Sequence, residues 1–291
     1  MMETSEVIRR VRKLEIVSRG LTRQIFSGEY HSAFKGRGMA FAEVREYQPG
    51  DEIRTIDWNV TARLNHPYVK VFEEERELTV LLLIDISGSA SFGSQSRTKR
   101  DLTTEIAAVL AFSAMQNNDK VGAVFFTDRV ELFVPPAKGK SHVLRIIRDL
   151  VTFRPDGKRT DLDLPMRFVS NMVKKRSTAF LISDFLDCDF TNAFRIAARK
   201  HDLVAIEVTD ERESVIPSVG LIPLLHAETG RIMWIDSGDK KSMQHVKGNA
   251  LRQRDQWHDN LRKSGIDWVS VNTSSDWVLP LKSLFRRREK R

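Results

Sequence analysis

The rhythm of apolar and polar positions changes twice along this chain. Over residues 3–18, Ile8, Val11, Leu14 and Val17 recur near helical spacing, which predicts an amphipathic helix. Residues 19–77 carry short alternating runs broken by Gly28, Gly36, Gly38 and the turn Pro49-Gly50-Asp51, a pattern that predicts a small β-rich unit. From about residue 78 apolar runs of strand length alternate with longer helical stretches. LTVLLLID is followed by a helix near 98–117, then by KVGAVFFTD and the short RVELFVPP. Helices near 140–152 and 161–175 precede TAFLISD, a helix over 190–200 and HDLVAIEV. Residues 221–236 predict a hairpin turning at Glu228-Thr229-Gly230, and a polar helix near 239–264 leads to a last strand, IDWVSVN. Such alternation predicts an α/β fold, a doubly wound and mostly parallel sheet with helices on both faces. The expected organisation is an N-terminal helix and β-rich unit over 1–77, the α/β domain over 78–275 and a basic tail over 276–291.

Composition narrows the class. Hydrophobic residues make up 41% and charged residues 30%, the balance of a globular protein rather than a disordered or membrane-embedded one. One cysteine, Cys188, excludes an internal disulfide framework and a Cys-based zinc site. The first twenty residues hold no apolar core of a secretory signal, and no run approaches the ~18 apolar residues of a membrane span, so the expected compartment is the cytoplasm. Net charge is +8, of which KSLFRRREKR at the end contributes +5. That tail reads as a solvated end dispensable for folding, with peripheral membrane or nucleic-acid contact as a subsidiary role. The body lacks a basic stripe with interleaved aromatics, so nucleic-acid binding is not expected as its main function.

Candidate chemistry begins where the first buried strand ends, in Asp85-Ile86-Ser87-Gly88-Ser89. A strand of this kind delivers one carboxylate and two hydroxyls to the carboxyl edge of the sheet, where open α/β sheets bind ligands. Thr160, in the loop Gly157-Lys158-Arg159-Thr160-Asp161, and Asp184, at the end of TAFLISD with Ser183 before it, complete an oxygen set from three loops. Oxygen-only donors suit a hard cation such as Mg²⁺ or Mn²⁺. The plainer alternative is a tight Ser/Gly turn with Asp85 as a helix cap.

The DxSxS of residues 85–89, with the later Thr160 and Asp184, resembles the metal-ion-dependent adhesion site (MIDAS) of von Willebrand factor A domains. The segments GRGMAFAEVREYQPGDEIRTIDWNVTAR and VKVFEEERELTVLLLIDISGS sharpen this to a resemblance to the domain-of-unknown-function 58 family, over roughly residues 20–275. That family consists of von Willebrand A-like proteins often encoded beside MoxR-type AAA+ ATPases. The resemblance implies Ser87 and Ser89 as direct metal ligands, Thr160 as a direct or water-mediated one, and Asp85 and Asp184 acting through waters and hydrogen bonds. Ala90 stands where Met commonly follows DxSxS, at a position that is not a ligand. The implied function is a non-enzymatic, Mg²⁺-dependent protein-interaction adaptor. Its implied partner is a MoxR-type ATPase or that ATPase's client, offering an acidic side chain to the metal.

Other motifs weaken on inspection. A phosphohydrolase of the DxDx[TV] type needs a general acid where Ser87 stands, and a hydroxyl is too weak an acid. Gly139-Lys140-Ser141 has Val134 where a P-loop needs Gly, followed by Pro135 and Pro136, so it reads as a helix entry capped by Ser141. His142, His201 and His226 stand alone, without metal-ligand spacing, as surface or satisfied core positions. Arg45, Glu46, Asp51, Arg54, Asp57, Trp58 and Arg63 form a charge-rich cluster that is either an ion-pair network or a recognition surface.

Overall fold

Five consecutive apolar residues in TVLLLID place a strand, β3 (Thr79–Asp85), at the centre of a six-stranded sheet, and Val80 to Ile84 are wholly buried. The computed structural model describes residues 4–26, 39–74, 78–94, 97–186, 191–214, 217–225, 230 and 232–290. They divide into two compact units, residues 35–78 and the rest of the chain.

In the larger unit β3 pairs in parallel with β4 (Lys120–Phe126) and with β6 (Thr178–Ser183). Beyond β6 lie β7 (Asp202–Thr209) and β10 (Asp267–Asn272), also parallel. The opposite edge is β5 (Val130–Ala137), antiparallel to β4. The antiparallel strand thus falls at an edge, where Pro135 and Pro136 cost least because a missing N–H faces no central partner. The strand order is β5-β4-β3-β6-β7-β10, so the chain reverses its direction of travel between β3 and β6. In open α/β sheets that reversal opens a crevice at the carboxyl edge.

Alternation along the strands sends Leu81 and Leu83 to one face and Leu82 and Ile84 to the other. On the first face Leu81, Leu83, Leu181 and Ala205 pack against Met166 and Val169 of α5 (Asp163–Met172), Phe194 of α6 (Asn192–Lys200) and Trp257 of α8 (Lys240–Lys263). The second face is covered by α3 (Lys99–Gln116), which is buried almost all round and lies against β3, β4 and β7. A helix that is apolar on every side must itself be covered. Two helices do so, α1 (Thr4–Phe26) and α4 (Lys140–Thr152).

Several expectations are corrected here. The first helix belongs to the sheet unit, not to the β-rich unit, and it is longer than the periodicity suggested. Its inward face runs through Val11, Leu14, Ser18 and Thr22, whereas Ile8 and Val17 are exposed. Hydroxyls on the inward side hid that face from a count of apolar spacing. The C-terminal segment is not a solvated tail: it forms α9 (Val278–Glu289), with Leu281, Leu284 and Phe285 buried. Phe285 meets Phe180 of β6 edge to face at 6.4 Å, and Arg288 is paired with both Asp202 and Asp267. Gly139, not Ser141, occupies the cap position of α4.

The hairpin is present as β8 (Leu221–Leu225) and β9 (Ile232–Asp236), while Glu228, Thr229 and His226 lie outside the described residues. His201 is buried, and burial drives its pKa down to about 4, so it is a neutral core side chain. His142 sits 2.8 Å from the Val121 carbonyl.

The smaller unit holds β1 (Met39–Glu46) and β2 (Tyr68–Glu74) in antiparallel register, with a short helix, α2 (Trp58–Leu64), in the connection. Asp57 caps α2 by accepting from the amides of Asn59 and Val60. Arg45 clasps Asp51 in a two-pronged pair at 2.7 and 2.8 Å. Trp58 is 67% exposed, so the charge-rich segment combines local ion pairs with an uncovered aromatic surface. Gly28, Gly36 and Gly38 lie outside the described residues.

Candidate functional site

Asp85 ends β3 and Asp184 follows the end of β6, the two strands that flank the reversal of strand order. Both carboxylates are buried. Asp85 uses each oxygen for a brace. Oδ1 accepts the Ser87 amide at 2.9 Å, and Oδ2 accepts the Ser183 hydroxyl at 2.6 Å. Those bonds leave the Ser87 and Ser89 hydroxyls side by side, 3.1 Å apart and buried. A turn of 3-10 helix over Gly88–Ser91 folds the second serine back toward the first.

The loop carrying Thr160 is drawn in by backbone bonds. Gly88 donates to the Lys158 carbonyl at 3.0 Å and Asp161 to the Thr127 carbonyl at 3.1 Å. Glu131 accepts both the Thr127 hydroxyl and the Gly157 amide, each at 2.8 Å. Thr160 Oγ1 is buried with no hydrogen-bond partner among the described residues. A buried hydroxyl without a partner carries a desolvation cost that a cation or water beside it would remove.

On the other wall, Asp184 Oδ1 accepts the Leu186 amide at 3.2 Å, and Phe185 between them adopts a left-handed φ of 53°. A non-glycine residue held there is costly and marks a tightly determined bend. Phe185 is held by packing on Trp257, ring centroids 4.9 Å apart. Asp184 Oδ2 receives the Lys99 ammonium at 2.6 Å. Lys99 also pairs with Glu213 of α7 (Glu211–Ser214), and it lies 6.0 Å from the centre of the Phe92 ring.

The electrostatics follow from burial. Burial pushes the Asp85 carboxyl up to about 6, with the charge of Asp184 adding to it and the bonds from Ser183 and Ser87 opposing. For Lys99, burial acts to lower the pKa, but the charges of Asp184 and Glu213 outweigh it and hold the ammonium above its ordinary value.

Five positions singled out in the sequence therefore divide into two groups. Asp85, Ser87, Ser89 and Asp184 form one buried cluster at the sheet edge, and the loop that carries Thr160 is bonded to that edge through the Lys158 carbonyl. Sequence reasoning missed both Glu213 and Lys99. One signal for Lys99 was present: a lysine in the first turn of a helix opposes the helix dipole, which calls for a compensating anion.

A divalent cation fits the donors. Mg²⁺ holds oxygens at about 2.0–2.1 Å in an octahedron, so neighbouring ligands sit about 3 Å apart. The serine pair has that spacing, and the unpartnered Thr160 hydroxyl is a further neutral donor. Among the described residues no group of three or more His, Cys, Asp or Glu side chains could hold a metal, so a cation at this edge would rest on hydroxyls. Among the same residues no helix is long and apolar enough to cross a membrane.

A doubly wound sheet with DxSxS at its reversal point defines a von Willebrand factor A-like domain. Residues 43–256 match the family described as "Protein of unknown function DUF58", and the chain belongs to that family. An uncharacterised protein of Mycobacterium tuberculosis is 31% identical over 271 residues, covering 92% of this chain and 85% of its own length. The uncharacterised protein YeaD of Bacillus subtilis is 28% identical over 109 residues, 38% of this chain and 25% of that protein. Among solved structures, BatB from Bacteroides thetaiotaomicron aligns with a TM-score of 0.46 at 14% identity, over 74% of this chain and all of that one. The SpRpn10 VWA domain aligns with a TM-score of 0.40 at 14% identity, over 72% of this chain and 95% of that one.

Proposed function

We propose that the protein is a non-enzymatic adaptor whose sheet edge binds Mg²⁺ or Mn²⁺ and, through it, an acidic side chain of a partner protein. The observation that carries this reading is the pair of buried serine hydroxyls 3.1 Å apart, braced by Asp85. Ser87, Ser89 and Thr160 would hold the ion, with Asp85 and Asp184 orienting its waters. When bound, the ion supplies a charge that neutral hydroxyls leave largely uncompensated, which favours an anionic sixth ligand. By family resemblance the partner is a MoxR-type AAA+ ATPase or its client, and the role is assembly or maturation of other proteins.

Calorimetry with Mg²⁺ and Mn²⁺ on wild type and Ser87→Ala tests the ion. Wild type is expected to bind one ion, and the variant to lose at least about tenfold in affinity, equivalent to ~1.4 kcal/mol. Equal binding by both proteins would place the cation elsewhere. Crosslinking to a co-encoded MoxR-type ATPase, with and without chelator, tests the partner. Association that ignores both chelator and Ser87→Ala would show that the ATPase docks on another surface.

A further inference from the structure

Lys99 is wholly buried at the candidate cation site, where it sets a positive charge among oxygen donors. Its position is built by three elements. The capping box of Thr98 and Asp101 fixes the first turn of α3, the Lys99 amide donates to the Phe92 carbonyl at 2.8 Å, and the ammonium reaches across to β6 and to the segment after β7. Asp184 and Glu213 grip it from two sides, and the Phe92 ring lies 6.0 Å away. Glu213 is itself held, because its second oxygen accepts the Asp210 amide at 3.1 Å. Lys99, Ser89, Asp85 and Asp184 all line one small pocket.

From this arrangement we infer that Lys99 is a tethered internal cation that competes with the divalent ion for the charge of Asp184. The inference rests on the cation-binding reading of this edge. Without a divalent ion, the ammonium neutralises carboxylates that would otherwise be buried close together and unpaired, so the fold does not depend on metal. With a divalent ion, the fixed positive charge in the same pocket repels it, and Asp184 can serve the ion only by loosening its hold on Lys99. The edge therefore exchanges between a form closed by lysine and a form closed by metal, and its affinity for the ion is set low enough for the ion to leave.

The test is cation binding by calorimetry, with thermal melts in chelator and in excess Mg²⁺. Three full-length variants are compared with wild type: Lys99→Met, Glu213→Gln and Lys99→Met combined with Ser87→Ala. Lys99→Met keeps the length of the side chain and removes its charge. It is expected to bind Mg²⁺ at least about tenfold more tightly, to melt lower in chelator and to regain its melting temperature with Mg²⁺. Glu213→Gln removes a negative charge and leaves Lys99 in place, so its affinity is expected to fall several-fold. Opposite signs from two partners in one ion pair are not expected if the pair serves packing alone. Adding Ser87→Ala to Lys99→Met should abolish the gain. Unchanged or weaker Mg²⁺ binding by Lys99→Met, in a protein still folded by circular dichroism, overturns the role of Lys99 while leaving the cation site standing. If Lys99→Met fails to fold even with Mg²⁺, unchanged or tighter binding by Glu213→Gln overturns the inference. Absence of cation binding in wild type and Lys99→Met alike would overturn the metal reading and this inference with it.

Discussion

Asp210 shows how a single buried carboxylate organises the rim of the sheet. It follows β7 and accepts the Ser94 amide at 3.1 Å, the Thr273 hydroxyl at 2.6 Å and the Arg212 amide at 3.0 Å. Burial pushes its pKa up, but these bonds prevail and hold it at about 2. The stability it supplies is present above its ordinary value of 3.8 and is lost as pH falls from there toward 2. Asp210→Ala is therefore expected to lower stability at neutral pH by about 2 kcal/mol, the linkage equivalent of a carboxyl held at about 2 in place of 3.8. In urea melts the gap between variant and wild type should narrow steadily from pH 4 to pH 2. A gap that stays constant across that range would mean that the charge of Asp210 is not what matters. The same bonds tie down the loop after DISGS and the one after β10, so the residue acts on the geometry of the whole edge.

At the scale of elements, the loop from Gly157 to Asp161 depends on close approach to the end of β4. A Cβ on Gly157 would collide with the side chains of Thr127 and Asp128. Gly157→Ala is thus expected to displace the loop that carries Thr160, weakening cation binding and costing about 1–3 kcal/mol as overpacking does. Calorimetry and melts on this variant separate the two effects. Full cation affinity in the variant would show that Thr160 reaches no ion. Strand and helix positions here were legible in advance, because the change from alternating to blockwise apolar residues near residue 78 marks a parallel sheet buried on both faces. The two carboxylates and two serines were legible for the same reason: they stand where apolar strands stop. Lys99 was not, since a basic residue at a helix start looks like solvated surface until the strands opposite it are known.

Over the whole molecule, the C-terminal helix closes the structure instead of trailing from it. Phe285 is fully buried and Arg288 bridges Asp202 and Asp267, which begin β7 and β10. Phe285→Ala is expected to cost about 3–5 kcal/mol, the usual range for emptying a buried aromatic site. Truncation after Leu284 should cost at least that, because it also leaves two partly buried carboxylates without their cation. A truncated chain that melts at the wild-type temperature would show that α9 is not docked in solution.

The sequence by itself determined the order of strands and helices, the family, and the oxygen-bearing ends of β3 and β6. Those follow from local periodicity and from short motifs, which the chain states in adjacent residues. Tertiary structure alone decided that β3 and β6 are neighbours, which brings Asp85 under the Ser183 hydroxyl. It also decided that α1 covers α3, that α9 docks, and that Lys99 enters the site to meet Asp184 and Glu213. In each of these the partner lies far along the chain. Burial turns an ordinary polar residue into a strong contact only when the fold removes water from both members at once.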